Sequence, residues 1–237
     1  MGKAQHFWNK EYKNTRGKKG AHNTHLALST DPSEDLMKFT RWLERESGKE
    51  LLNIRGSVLD LGCGNGRNLI YMHDTYHMRG IGFDISNEAI VQAKKLSAGK
   101  PLEYEARSII GPLPIEDESQ TIVLDMMVSH FLNNEERKVL VKEIARTLKL
   151  GGFLYFKTFL LDDDLNAKRL LRESPAEEAG SYIHPKIGVA EHVSTEQEIR
   201  DALAEHFFIH KISKSHGHLR KGQAKRRSIS VYAERVN

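Results

Sequence analysis

Between residues 57 and 77 the chain changes its period abruptly. Ser57-Val58-Leu59-Asp60-Leu61 is a short apolar run, stopped by Gly62-Cys63-Gly64-Asn65-Gly66, and residues 67–77 follow with helical spacing. A short apolar run closed by glycines reads as a buried strand. A strand passed through glycines into a helix is the opening unit of an α/β sheet. The alternation continues with a strand over 80–85, a helix over 87–97, strands over 102–106 and 121–127, a helix over 135–149 and a strand over 153–159. Upstream, Asp31-Pro32-Ser33 starts a helix that runs to Gly48. Downstream, a helix over 165–173 and an irregular stretch precede a helix over 195–205 and strands over 207–213 and 228–236. No crossover helix fits between the last two strands, so they are expected to be antiparallel. The expected fold is a Rossmann-like, doubly wound α/β sheet of seven strands, mostly parallel with an antiparallel last strand and helices on both faces. Residues 1–50 read as a helical extension or lid, and 51–237 as the main domain with an insertion at about 160–194.

Composition narrows the class. Of the 237 residues, 39% are apolar and 29% charged, values of a globular chain. A single cysteine, Cys63, excludes a disulfide framework and a multi-thiolate zinc site. The longest apolar candidate, Thr121–Leu132, is short for a bilayer and carries Asp125. With no apolar signal core at the start, a soluble cytoplasmic protein is expected. Charge is uneven. Residues 1–30 hold six Lys/Arg against Glu11, and 207–237 hold eight against Glu234, which leaves −8 on the residues between in a chain of net charge +4. Basic ends on an acidic middle suit either an anionic partner or a solvated face.

The glycine turn can bring backbone close to a ligand, and the helix start offers N–H groups to an anion. Asp84, at the end of the second strand, is placed to accept both hydroxyls of a ribose. A dinucleotide fingerprint counted from Gly62 would put its third glycine at position 67, which is Arg67. That spacing argues against a nicotinamide dinucleotide, while Asp60 could meet an ammonium group. The stretch 58–67 (V-L-D-L-G-C-G-N-G-R), G-F-D-I-S at 82–86, L-P-I-E-D-E-S at 113–119 and L-K-L-G-G at 148–152 together resemble the class I S-adenosylmethionine-dependent methyltransferases. The resemblance covers residues 57–159. It implies S-adenosylmethionine as cofactor and S-adenosylhomocysteine as product. It also implies cofactor contacts at Asp60, Gly62, Cys63, Gly64, Asn65, Gly66, Asp84, Ile85, Ser108 and Met126. The chain departs from the family where many members carry Asp after the third strand, since Ala106-Arg107-Ser108 stands there, and where Phe-Asp often opens the fourth strand, since Gln120-Thr121 stands there.

The fourth strand should end at the methyl group. The run there, 125–130, lacks the Asn/Asp-Pro-Pro-aromatic pattern of amino-methylating nucleic-acid enzymes, and Cys63 lies in the cofactor turn. Transfer to nitrogen or oxygen is therefore expected before carbon. His130 is a candidate general base and Asp125 a candidate proton acceptor or cofactor ligand; each could equally be a packed or hydrogen-bonded structural group. Asp162-Asp163-Asp164 suit a helix cap better than a metal, and no metal site is expected. Trp8 and Tyr12 could close a lid, and His184 and His192 could line an acceptor pocket with the pair His216/His218. The connection 216–227, with Arg220, Arg226 and Arg227, should fall on the active-site rim, and Arg16-Gly17-Lys18-Lys19 could fold over it. The expected acceptor is anionic, a small molecule or RNA, with no membrane partner. A non-catalytic cofactor-binding or RNA-binding module is the alternative.

Overall fold

A computed structural model of the chain describes residues 2–15, 28–215 and 226–237, and the backbone alone of 219, 220, 223 and 224. It divides into two compact units, Met1–Ile109 with Gln120–Leu124, and Ile110–Ser119 with Asp125–Asn237.

The first unit holds α1 (Lys3–Thr15), α2 (Glu34–Ser47), β1 (Ser57–Leu61), α3 (Arg67–Tyr76), β2 (Arg79–Asp84), α4 (Asn87–Leu96), β3 (Leu102–Ala106) and the start of β4 (Gln120–Met126). β1 pairs parallel with β2, and β2 parallel with β3. Leu59, Leu61, Leu69, Met72, Phe83 and Ala93 are buried, so α3 and α4 close over the sheet by removing apolar surface from water. Local chemistry sets the helix ends. Gly48 closes α2 at φ 61°, and the Ser86 hydroxyl caps α4 by accepting from the Ala89 N–H.

The second unit holds the end of β4, a 3₁₀ turn (Ser129–Phe131), α5 (Asn134–Thr147), β5 (Leu148–Phe159), α6 (Leu165–Glu173), β6 (Ser181–Ile183), β7 (Ala190–His192), α7 (Glu196–Leu203), β8 (Phe207–Lys214), β9 (Leu219–Arg220), β10 (Gln223–Ala224) and β11 (Ser228–Arg235). Capping boxes at Asn133/Glu136 and Thr195/Glu198 start α5 and α7. β11 lies antiparallel to both β5 and β8. Among the described residues seven strands share one sheet in the order β3-β2-β1-β4-β5-β11-β8. The expected doubly wound sheet with its antiparallel last strand is the fold observed.

Two local expectations change. β5 starts at Leu148, not Phe153, because α5 already ends at Thr147. Leu148-Lys149-Leu150 fits a strand period as well as a helical one, and the chain takes the strand. The irregular stretch also contains a hairpin, β6–β7, with Tyr182 opposite Glu191. It packs with α6 in a small core of Ala167, Leu170, Tyr182 and Val193, bordered by Phe159 and Leu161.

Candidate active site

In the first unit the chain leaves β1 through Gly62, Gly64 and Gly66, all left-handed at φ 69°, 56° and 78°. A side chain would strain each of them. The Cys63 N–H donates to the Phe83 carbonyl at 2.9 Å, and the Gly66 N–H to the Cys63 carbonyl at 3.0 Å. The turn is thereby clamped to β2. A Cβ on Gly82 beneath it would stand 2.8 Å from both Cβ and Sγ of Cys63, so β2 needs glycine for the turn to settle. Burial pushes the Cys63 thiol well up, which keeps it protonated and poorly nucleophilic.

Asp84 joins this turn to α4. One carboxylate oxygen accepts from the Gly64 N–H at 2.9 Å and the other from the Ser86 N–H at 2.8 Å. Each oxygen retains a second lone pair, and the residue is only partly covered. Burial raises its pKa to about 6, against the pull of those two N–H groups, so at neutral pH it is chiefly a carboxylate. A vicinal diol fits this arrangement, one hydroxyl to each oxygen.

Helix α1 lies on the same turn. Gln5 donates to the Ile85 carbonyl at 3.0 Å. Asn9 accepts from the Ser86 hydroxyl at 2.9 Å, and Gln92 donates to the Tyr12 carbonyl at 2.6 Å. Tyr12 is buried, and its hydroxyl lies where a Cβ on Gly64 would overlap it. Burial first, then the charges of Asp84, Cys63 and Asp60, push its pKa far above the ordinary phenol value. Tyr12 thus sits on the glycine turn, with Trp8 one helical turn away at 6.3 Å between ring centres. Asp60 and Asn65 are buried at the turn, and Asn65 donates to the Ser29 carbonyl at 3.1 Å. Ile85 is half-buried and Ser108 exposed just beyond β3. Met126 ends β4, half-buried.

In the second unit Asp125 is 1% exposed and accepts from the Ser129 N–H at 3.3 Å. Burial raises it to about 6, opposed by hydrogen bonds from Ser129 and Val128. Asp125, Ser129, His192 and Ser194 border a cavity of about 700 Å³ whose other walls come chiefly from α5 and α7, with Phe156, Glu178 and Ala179. His130 is 4% exposed and meets Phe159 edge-on at 5.0 Å. Burial lowers its pKa to about 4, with Glu191 acting in the other direction. It is neutral at pH 7, and among the described residues its Nδ1 has no hydrogen-bond partner.

Around Phe159 the chain assembles a cluster that the sequence did not reveal. Arg226 lies over the ring with its guanidinium carbon 3.4 Å from the centre, and 5.1 Å from that of Tyr182. Its Nη1 donates to Glu191 at 2.7 Å. The Tyr182 hydroxyl donates to the same carboxylate oxygen. Burial pushes Glu191 up, but His130, the Tyr182 hydroxyl and Arg226 hold it below the usual carboxylate value. It is therefore ionised. Phe159, Tyr182 and Glu191 come from β5, β6 and β7; the one available signal was the apolar-polar alternation of two three-residue strands.

Of the remaining expected residues, His184 stays beside this cluster, its ring centre 6.4 Å from that of Tyr182. His184 accepts the N–H groups of Lys186 and Ile187 on Nδ1 at 3.2 and 3.1 Å, which places its proton on Nε2. His192 is buried against Ser181 and Glu178 at 3.0 and 3.3 Å. Arg227 is committed to structure. Its Nη1 donates to the Asp162 carbonyl at 2.9 Å and to Asp163 at 3.2 Å, and its Nε to the Ser215 carbonyl at 3.3 Å. Asp164 caps α6 through the Ala167 N–H at 2.9 Å and accepts the Arg227 N–H at 2.7 Å. Asp162 accepts the Glu196 N–H at 3.1 Å where α7 begins. The Arg220 side chain, His216, His218 and the segment Arg16–Lys19 lie outside the described residues.

Comparison with known proteins finds a methyltransferase domain over part of the chain. Residues 58–152 match the family described as a methyltransferase domain. The chain carries a class I S-adenosylmethionine-dependent methyltransferase domain. A solved S-adenosylmethionine-dependent methyltransferase from Methanosarcina mazei superposes on it with a TM-score of 0.64 at 25% identity, over 76% of this chain and 92% of that one. The Arabidopsis thaliana tRNA (carboxymethyluridine(34)-5-O)-methyltransferase is 28% identical over 62% of this chain and 34% of its own length. An Aspergillus nomiae O-methyltransferase is 26% identical over 58% and 63%. The chain thus spans about a third to just under two thirds of these two curated relatives. S-adenosylmethionine is the cofactor of such a domain, and the glycine turn with Asp84 fits its ribose. Among the described residues no helix of this methyltransferase domain is long and apolar enough to cross a membrane.

Proposed function

We propose that the chain transfers a methyl group from S-adenosylmethionine to a nitrogen or oxygen of an anionic acceptor, a small molecule or an RNA. The observation that carries this reading is Asp84, oriented by the Gly64 and Ser86 N–H groups at 2.9 and 2.8 Å with a lone pair left on each oxygen. Bound S-adenosylmethionine supplies a methyl group already activated on sulfur. The chain then needs to align the acceptor, exclude water and, for a protonated nucleophile, take up a proton.

His130 is neutral at pH 7 and so can take up a proton, although a pKa lowered to about 4 makes it a weak base. Asp125 is a second candidate, held by the Ser129 N–H. Tyr12 and Trp8 would cover the cofactor, and Arg226 would hold the anionic part of the acceptor. Arg227 is assigned to the fold instead. The relatives named for tRNA and for oxygen methylation keep both acceptor classes in play.

Calorimetry with S-adenosylhomocysteine and NAD, on wild type and Asp84→Ala, tests the cofactor. S-adenosylhomocysteine should bind, NAD should not, and the substitution should weaken binding at least 100-fold. Transfer of tritiated methyl to separated RNA, protein and metabolite fractions names the acceptor. Tight S-adenosylhomocysteine binding with no labelled product in any fraction would favour the non-catalytic module.

A further inference from the structure

We infer that the Nε/Nη2 edge of Arg226 seats a carboxylate borne by the methyl acceptor, an inference that rests on the methyltransferase reading above. A guanidinium has five N–H donors in a rigid plane. Nη1 of Arg226 is taken by Glu191 at 2.7 Å. Its Nε and Nη2 are buried, and among the described residues neither has an acceptor. Those two nitrogens form one side of the fork, where two parallel N–H bonds match the two oxygens of a carboxylate. Leaving buried donors of a charged group unsatisfied is costly. The chain bears that cost on a side chain already fixed by Phe159 at 3.4 Å, Tyr182 at 5.1 Å and Glu191. The fork is rigid before a ligand arrives, which reduces the entropy lost on binding.

Charge selects the ligand. Arg226 and Glu191 cancel, Tyr182 is protonated because burial raises its pKa, and His130 is neutral. A monoanion gains the fork without a large field against it. A phosphate monoester brings nearly two charges beside Glu191, which is held ionised, and like charges in a poorly solvated site repel strongly. His130 packs on the same Phe159 ring at 5.0 Å, and its Nδ1, unpartnered among the described residues, can meet a polar group on the same ligand. The chemistry sought is thus a carboxylate with a polar group nearby, on a free acid or on a modified base of RNA.

The test uses the whole chain with benzoate, benzamide and phenyl phosphate as probes, read by the ¹⁵N–¹H resonance of the Arg226 Nε. That signal is assigned by its disappearance in Arg226→Lys. Benzoate should shift it and bind at least 10-fold more tightly than either other probe. Arg226→Lys, which keeps the charge and removes the fork, should lose at least 10-fold of that affinity while its S-adenosylhomocysteine affinity stays within twofold. A second arm compares a short RNA bearing one carboxymethyl-substituted base with its unsubstituted twin. Arg226-dependent discrimination between the RNAs places the carboxylate on RNA, and discrimination only among the small probes places it on a free acid. No Arg226-dependent preference for carboxylate in either arm, or tighter binding of phenyl phosphate, overturns the inference. Arg226-dependent carboxylate binding in a chain that fails to bind S-adenosylhomocysteine would retain the subsite and remove the methyltransferase reading.

Discussion

Asp84 and Arg226 are both partly covered ionic groups, but they are held by different kinds of partner. Asp84 is fixed by backbone N–H groups at Gly64 and Ser86, the farther of them 20 residues away. Arg226 is fixed by a side chain 35 residues away, Glu191, and by the faces of Phe159 and Tyr182. A backbone-borne site depends on where the chain turns, so its tolerance is set by φ and by Cβ volume. A side-chain-borne site depends on which residues converge, so its tolerance is set by charge balance. Substitutions in the two regions should therefore fail differently.

The sharpest separation comes from Gly66→Ala. The position has φ 78°, and a Cβ would stand 2.6 Å from the Tyr104 hydroxyl and 2.8 and 2.9 Å from two atoms of its ring, which is buried. Left-handed strain of about 1–2 kcal/mol and overpacking of about 1–3 kcal/mol add to roughly 4 kcal/mol, measured as a drop in urea midpoint. Cofactor affinity should fall with it, because the turn itself moves. A stable variant with native affinity would show that the turn is not backbone-limited. In the second region the largest effect is expected from Asp164→Ala, about 3 kcal/mol, by removal of the α6 cap and of the acceptor for the Arg227 N–H. Its S-adenosylhomocysteine affinity should stay within twofold.

The same contrast explains what could be read in advance. The strand-turn-helix period, the glycines and Asp84 lie close together in sequence and obey local rules, so β1, β3 and α6 fall within the expected bounds. The helix cap at Asp164 was legible for that reason. Glu191, Tyr182 and Phe159 gave no such signal. Each sits in a segment whose period is too short or too mixed to fix a face, and their chemistry arises only when β5, β6, β7 and Arg226 converge. The pair Arg226-Arg227 is instructive, since sequence gives two equivalent arginines on a basic loop. The structure directs one to Asp162, Asp163 and Ser215, and leaves the other with two buried nitrogens that have no acceptor among the described residues.

Acid should separate the burial costs within the second unit. His130, lowered from 6.5 to about 4, stays neutral in the folded chain while the unfolded chain takes a proton. Its contribution is complete above pH 6.5 and is lost as pH falls towards 4. Asp125, raised from 3.8 to about 6, works in the opposite sense, complete below 3.8 and lost as pH rises through 6. Each shift corresponds to about 3 kcal/mol across its window. His130→Asn should remove the acid-side loss, and Asp125→Asn the opposing gain, in melting temperatures taken from pH 4.5 to 8. A His130→Asn curve parallel to wild type would place the histidine in contact with water and end its role as a neutral buried base.

The smallest effect concerns α1, the part of the first region that is not backbone-borne. The helix is held by side chains at three points, Gln5 to the Ile85 carbonyl, Asn9 from the Ser86 hydroxyl, and Gln92 to the Tyr12 carbonyl. Asn9 also accepts the Glu88 N–H at 3.4 Å, so it joins α1 to the first turn of α4. Asn9→Ala removes partly solvated bonds worth about 1 kcal/mol net, and the Ser86 hydroxyl keeps its capping bond to Ala89. Global stability should fall by less than about 1 kcal/mol. Local opening should respond in full, because a short helix with a polar surface depends on its docking contacts. Amide exchange over residues 3–15 should rise about fivefold, while β1 and β2 remain unchanged. Bound S-adenosylhomocysteine should restore protection if Tyr12 packs on the cofactor as it packs on Gly64, since the ligand would then stabilise the docked helix by its own binding energy. Equal exchange with and without ligand would detach α1 from the cofactor turn, and the site would then rest on the glycines and Asp84 alone.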